Sequence, residues 1–247
     1  MGSAGMINLP LGLRKVSSLS PVTRSALSRW ADHVQPGQLR AVVFDLGNVV
    51  ANFYPSAASM TVCAREGWDG SDALKAVEDV LLSPELKEPF EKGKTDFKGF
   101  YEGVCERLVL RKTSQGDLER IWNSVFEIRQ DTVSLASDLR KAGLLTYILS
   151  DTNQQHFQHL SGLLPFLADA NGYVLSHQTG FYKCDGPQQF ETVISFMRAD
   201  GLEPNQGMYF DDRFDYTEKA ISLGLPALQF LNAADARTLI REVWGTV

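Results

Sequence analysis

Three times in this chain a run of apolar, β-prone residues stops abruptly at one polar residue. Ala41–Phe44 stops at Asp45, Leu145–Leu149 at Ser150, and Gly207–Phe210 at Asp211. A run without polar alternation fits a strand buried on both faces, the condition of strands in a parallel sheet. Ala227–Phe230, followed by Leu231–Asn232, repeats the pattern, and Tyr173–Leu175 is a weaker instance. Amphipathic helices lie between these runs. Phe190, Val193, Ile194 and Met197 sit at i, i+3, i+4 and i+7 ahead of Gly201, which reads as a helix and its stop. Ala236, Leu239, Ile240 and Val243 repeat that spacing, and Val133, Ala136 and Leu139 lead to Gly143. Strands alternating with helices predict an α/β fold with a doubly wound, Rossmann-like parallel sheet.

The stretch between the first two strands breaks this rhythm. Residues 53–128 show helical periodicity only. Leu74, Val77 and Leu81 form one face behind Ser71 as N-cap, and Phe97, Phe100, Tyr101, Val104 and Leu108 form another behind Thr95. Leu118, Ile121, Trp122 and Val125 follow a Ser114–Asp117 capping pattern. A βα connection normally takes a few residues, so this one is expected to be an inserted helical subdomain. It leaves the sheet just after Asp45, over the strand ends where α/β proteins bind ligands. The expected division is therefore an N-terminal extension (1–37), an α/β core (38–52 and 129–247) and a helical lid (53–128). Within the extension, Val22, Ala26, Leu27 and Trp30 predict a short helix from Pro21 to about Val34.

Bulk properties exclude several function classes. The net charge is −6, which leaves no basic footprint for nucleic acid. No apolar run approaches the roughly 18 residues that cross a bilayer, and the first residues lack the apolar core of a signal peptide. The three cysteines, Cys63, Cys105 and Cys184, are odd in number and far apart, which argues for free thiols in a reducing, cytoplasmic setting. No pattern fixes an oligomeric state.

The chemistry is expected where the strands end. Asp45, Ser150, Asp151, Asp211 and Asp212 all fall there, and Lys183 lies just ahead of a helix. In adjacent parallel strands these groups converge on one crevice. Carboxylates packed together repel, and one is driven neutral unless a cation sits among them. Hard oxygen ligands without a His or Cys cluster suit Mg²⁺, which also takes waters and a phosphate oxygen. A carboxylate in line with a bound phosphate can act as a nucleophile, with the metal and Lys183 neutralising charge and the Ser150 hydroxyl and turn N–H groups holding the other oxygens.

The residues resemble a family. Val43–Val49 (VFDLGNV) resembles the first motif of the haloacid dehalogenase-like (HAD) superfamily, Leu149–Asn153 (LSDTN) the second, Lys183 the third and Phe210–Asp212 (FDD) the fourth. The helical insertion matches the position of the family's C1-type cap. The FDLGNV form, with Phe90–Gly93 (FEKG) and Ile121–Phe126 (IWNSVF), is similar to the α-D-glucose-1-phosphate phosphatase branch. The resemblance implies a Mg²⁺-dependent phosphatase of a small phosphorylated metabolite. Asp45 would be nucleophile and metal ligand, and Lys183 its catalytic and phosphate-binding cation. Gly47, Asn48, Ser150 and Asp151 would lie at the phosphate, and the Gly47 carbonyl, Asp211 and Asp212 would complete the metal site.

The departures sharpen the expectation. Most phosphatases of the superfamily carry an Asp two residues after the nucleophile as general acid and base, and here that position is Gly47. Such a group gives roughly 10²–10⁴-fold, so its absence biases the substrate toward anomeric or similarly activated esters, such as sugar 1-phosphates. Cys184 stands where the family has Pro after the Lys, and Tyr216 where Asn is common, with Asp215 as a possible compensating partner for Asp211. His156 and His159 are expected at the surface and Cys184 in packing, while Phe53 and Tyr54 are candidates to line the lid. Two alternatives stay open. A non-catalytic HAD-like binding module is favoured by Gly47, Cys184 and Tyr216. A metal-independent dehalogenase is disfavoured by the Asp211–Asp212 pair.

Overall fold

The computed structural model describes residues 20–30 and 38–245. In chain order it contains α1 (Pro21–Trp30), β1 (Ala41–Phe44), β2 (Ala51–Phe53), α2 (Pro55–Glu66), α3 (Ser71–Leu81), α4 (Pro84–Glu91), α5 (Phe97–Arg107), α6 (Gln115–Asn123) and β3 (Phe126–Ile128). Then follow α7 (Gln130–Lys141), β4 (Leu145–Ser150), α8 (Gln154–Leu163), α9 (Pro165–Ala168), β5 (Gly172–Leu175), α10 (Ser176–Thr179), α11 (Gln188–Ala199), β6 (Gly207–Asp211), α12 (Phe214–Ser222), β7 (Ala227–Gln229) and α13 (Ala233–Trp244).

All five expected strands pair into one parallel sheet, in the order β5-β4-β1-β6-β7. Alternation along the strands feeds two cores. Val42, Phe44, Ile148, Met208 and Phe210 pack on one face against α7, α8 and α13. Ala41, Val43, Tyr147, Leu149 and Tyr209 pack on the other against α11 and α12. The sheet is therefore covered on both faces, which is why its strands carry continuous apolar runs. Register sets Phe44 beside Ile148 and Phe210. Asp45, Ser150 and Asp211 thereby lie together at the carboxyl edge of the sheet, on β1 and the two strands beside it, where the strand order reverses.

The expected N-terminal helix is present as Pro21–Trp30, while residues 31–34 of that expectation lie outside the described residues. Leu27 and Trp30 are buried in the same cluster as the sheet. Trp30 stacks on Trp244 with ring centroids 5.4 Å apart and donates through Nε1 to the carbonyl of Ala227 at 3.0 Å. The helix thereby covers edge strand β7, a site that would otherwise invite pairing.

Helices α2 to α6 enclose a third cluster, including Val62, Val77, Phe100, Leu118 and Trp122. The expectation of helix alone across residues 53–128 is corrected at both ends, because Ala51–Phe53 and Phe126–Ile128 form a two-stranded antiparallel ribbon. Three-residue strands give too short a period-2 signal to stand out from helical spacing. Two cap expectations also change. Gly70 precedes α3, and Ser71 is its first residue. Asp96 rather than Thr95 caps α5, accepting from the Gly99 N–H at 2.9 Å. The Ser114–Asp117 capping box is present. No helix among the described residues is long and apolar enough to cross a membrane.

Candidate active site

Asp45 leaves β1 and turns at once. Val50 and Ala51 both donate backbone N–H groups to the carbonyl of Leu46, and Asn48 N donates to the carbonyl of Ala51 at 2.7 Å. Asn48 has a φ of 55°, a left-handed conformation that Asn tolerates better than most residues. Its side chain accepts from Phe53 N at 3.2 Å and donates to Asp212 Oδ2 at 3.0 Å. Arg129, at the head of α7, donates to the Asn48 carbonyl at 2.7 Å and to that of Leu231 at 3.0 Å, tying the turn to the core.

Lys183 reaches into this edge from the loop before α11. Its Nζ donates to Asp211 Oδ2 at 2.6 Å and lies 3.1 Å from Asp45 Oδ1. All three residues are buried. The ammonium also donates to Tyr209 Oη at 3.2 Å and lies 4.7 Å from the centre of the Tyr216 ring, so it is anchored on several sides. Tyr209 Oη in turn donates to Asp211 Oδ2, while Asp211 Oδ1 accepts from Arg213 N at 2.8 Å. One oxygen from each of Asp45, Asp211 and Asp212 falls within 4.8 Å of the others.

Three carboxylates thus face one ammonium. Burial pushes the Asp45 carboxyl up to about 7; the Lys183 ammonium pulls the other way, and the Asp211 charge adds to the rise. Asp212 is also raised, first by burial, against its hydrogen bond from Asn48. Burial opposes the charge on Lys183, but Asp211 and Asp45 hold it well above the ordinary lysine value. A hard divalent cation would relieve this excess of negative charge. The all-oxygen donor set of Asp45, Asp211 and Asp212 fits Mg²⁺.

The expected groups Asp45, Gly47, Asn48, Ser150, Asp151, Lys183 and Asp212 all line one cavity of about 500 Å³, and Asp211 lies beneath it against Lys183. Two side chains depart from the expectation of direct phosphate contact. That of Asn48 holds the turn and Asp212. That of Asp151 accepts from Lys183 N at 3.0 Å, Gln189 Nε2 at 2.9 Å and Tyr216 Oη at 3.2 Å, so it braces the lysine loop. Asp215 does not compensate at Asp211, because it pairs with Arg213 on the exposed rim. Cys184 is exposed at the cavity rather than packed, since burying Lys183 turns its neighbour outward. His156 is buried rather than superficial. It takes a hydrogen bond with Asn153 at 3.1 Å and one with the Trp122 carbonyl at 2.9 Å, and stacks on the Trp122 ring. Burial lowers it to about 3, a neutral imidazole. Phe53 lines the cavity as expected, and Tyr54 does not.

The helical insertion supplies the rest of the wall through Leu82, Pro84, Lys87, Glu88 and Glu91. It is seated by the FEKG string. Phe90 packs in the helical core, Tyr182 Oη donates to Glu91 at 2.9 Å, and Lys92 pairs with Asp185 at 2.7 Å. Ser176 Oγ donates to the Glu91 carbonyl at 2.6 Å. Gly93 has a φ of 64°, and a Cβ there would come within 2.0 Å of the His177 carbonyl oxygen, so only glycine allows this approach. Sequence reasoning missed Tyr209, Lys87, Glu91 and Arg129. Tyr209 carried a usable signal, since it lies two residues before Asp211 and so shares its face of β6.

No family model matches the chain. Solved structures of HAD-family enzymes share its fold. A HAD family enzyme of Bacteroides thetaiotaomicron in complex with magnesium and inorganic phosphate is 19% identical, with a TM-score of 0.64 over 78% of this chain and 95% of that one. A predicted HAD-like family hydrolase of Porphyromonas gingivalis is 20% identical, with a TM-score of 0.62 over 82% and 98%. A HAD phosphatase of Thermococcus onnurineus is 16% identical, with a TM-score of 0.55 over 76% and 84%. The chain therefore has the fold of HAD-family enzymes.

Proposed function

We propose that this protein is a Mg²⁺-dependent phosphatase acting on a small phosphorylated metabolite. The observation that carries this is the convergence of Asp45, Lys183, Asp211 and Asp212 beneath one cavity at the switch point of the sheet. Likeness of fold to an enzyme solved with magnesium and phosphate supports it.

The Asp45 carboxylate attacks phosphorus, the P–O bond to the organic group breaks, and an aspartyl phosphate forms. Water then attacks phosphorus, releasing inorganic phosphate and restoring the carboxylate. Lys183 pulls Asp45 toward its ionised form against the effect of burial and faces the transferring oxygens, as the Ser150 hydroxyl does from the end of β4. Asp45, Asp211, Asp212 and the Gly47 carbonyl would hold Mg²⁺, whose charge would offset that of the phosphate. Asn48, Asp151, Tyr209 and Tyr216 act as positioning residues. Residues 53–128 form the lid, and its seat on the loop of residues 176–185 limits access of bulk water.

Gly47 offers no proton to the leaving group, so the substrate is one whose alcohol departs readily, a sugar 1-phosphate or comparably activated ester. A cytoplasmic setting suits three free thiols. The test is Mg²⁺-dependent phosphate release from a panel of phosphorylated metabolites, repeated with Asp45→Asn. Turnover should vanish in the variant, and retained turnover refutes the mechanism. Release of halide from a haloacid in EDTA would instead support a dehalogenase. Absence of both activities would support a binding module, the reading that Gly47 favours.

A further inference from the structure

The α4 wall of the cavity has its own chemistry, apart from the phosphate end. Glu91 is 5% exposed yet lines the cavity. Lys87 Nζ donates to its Oε2 at 2.5 Å, and Tyr182 Oη donates to the same oxygen at 2.9 Å. The other oxygen, Oε1, accepts from neither donor. A carboxylate oxygen beside an ammonium offers an acceptor and a donor side by side, which matches a hydroxyl group because a hydroxyl both donates and accepts. Among the described residues, every lysine or arginine that lines the cavity already has an acidic partner. Lys87 pairs with Glu91, Lys183 with Asp45 and Asp211, and Arg213 with Asp215. Glu88, on the same wall, pairs with Lys92. No unpaired cation therefore awaits a second anionic group. Phe53, Phe126 and Leu82 supply apolar surface for carbon.

We propose that Glu91 and Lys87 form the subsite that reads a hydroxyl of the substrate's organic part, so that the substrate is a monoester of a neutral, polyhydroxylated alcohol. This rests on the phosphatase reading and deepens it. A carboxylated or doubly phosphorylated substrate would meet Glu88 and Glu91 without a free counter-charge.

The probes are a hexose 1-phosphate and cyclohexyl phosphate, a ring of similar size without hydroxyls. The kcat/KM ratio of the two is measured with Mg²⁺ in wild type, Glu91→Gln and Lys87→Met. Intrinsic differences between the leaving groups cancel when each variant's ratio is divided by that of wild type. The ratio should fall by about tenfold in each variant, chiefly through KM for the hexose ester. Thermal unfolding checks that each variant is folded, and Lys87→Met carries the test if Glu91→Gln does not fold. A ratio within about twofold of wild type in a folded variant overturns the proposal. If wild type releases phosphate from para-nitrophenyl phosphate but neither folded variant changes the ratio, this inference alone fails. If it releases none from any of the three esters, the phosphatase reading fails and takes this one with it.

Discussion

Asp45 makes the site's electrostatics measurable without any substrate. Its carboxyl is raised from 3.8 to about 7 in the folded protein without metal, by burial first and then by Asp211, against the pull of Lys183. Below about pH 4 the group is protonated in both folded and unfolded chains and contributes no pH dependence. Between about pH 4 and 7 the folded state keeps a proton that the unfolded state has lost, so stability falls as pH rises through that window. At about 1.4 kcal/mol per pH unit, the displacement corresponds to a loss of about 4 kcal/mol by pH 8. Asp45→Asn removes this titration while keeping the shape of the side chain. In EDTA the variant should therefore become progressively more stable than wild type from pH 5 to 8. For a chain of this size, about 2–4 °C per kcal/mol makes the full gap roughly 8–16 °C. Mg²⁺ in excess should close it by raising wild type alone, because a bound cation takes the place of the proton. Calorimetry of both proteins at several pH values, in EDTA and in Mg²⁺, checks this. A gap that is flat with pH in EDTA, or a wild-type midpoint that Mg²⁺ leaves unmoved, refutes the account of a crowded acidic site built for a cation.

Three further outcomes follow from the same geometry. Lys183→Met leaves Asp45 and Asp211 buried without their ammonium and should cost about 3–5 kcal/mol of stability in EDTA at pH 8, read by denaturant titration, with phosphate release lost. Gly47→Asp restores an acid where an added Cβ meets nothing within 4 Å. It should raise kcat for an unactivated ester such as serine phosphate by about tenfold or more, measured against its effect on an anomeric phosphate. Gly93→Ala forces a side chain against the His177 carbonyl at a left-handed φ of 64°. It should cost more than about 1 kcal/mol, seen as a lower melting temperature.

How much of this was legible in the sequence depended on the length of each signal. Four of the five core strands stood out because a parallel strand buried on two faces shows an apolar run, Tyr173–Leu175 gave a weaker signal, and the polar ends of three runs marked the site. Asp45, Ser150, Asp211 and Asp212 were legible for that reason, and Lys183 by its place just ahead of a helix. Short elements were not. The β2–β3 ribbon offers three residues per strand, and α4 begins at Pro84 and contains Pro89, so the proline signal obscured the i, i+4 pair of Lys87 and Glu91. Single residues whose role depends on a partner far along the chain were the hardest to read. His156 has the composition of a surface helix residue until the Trp122 carbonyl arrives from 34 positions away. Asp151 reads as a phosphate neighbour until Lys183, Gln189 and Tyr216 are found on it. Both residues tie separate pieces of chain to the strand ends, so their role is fixed by the packing of distant segments rather than by local pattern. Tyr216 makes the same point from the other direction. It replaces an expected Asn near Asp211, yet its hydroxyl holds Asp151 and its ring covers the Lys183 ammonium. A phenol on Asp151 and an aromatic face over the Lys183 ammonium therefore stand where an amide beside Asp211 was expected, and the lysine keeps its support. For this reason Tyr216 weighs less toward a non-catalytic reading than Gly47 does.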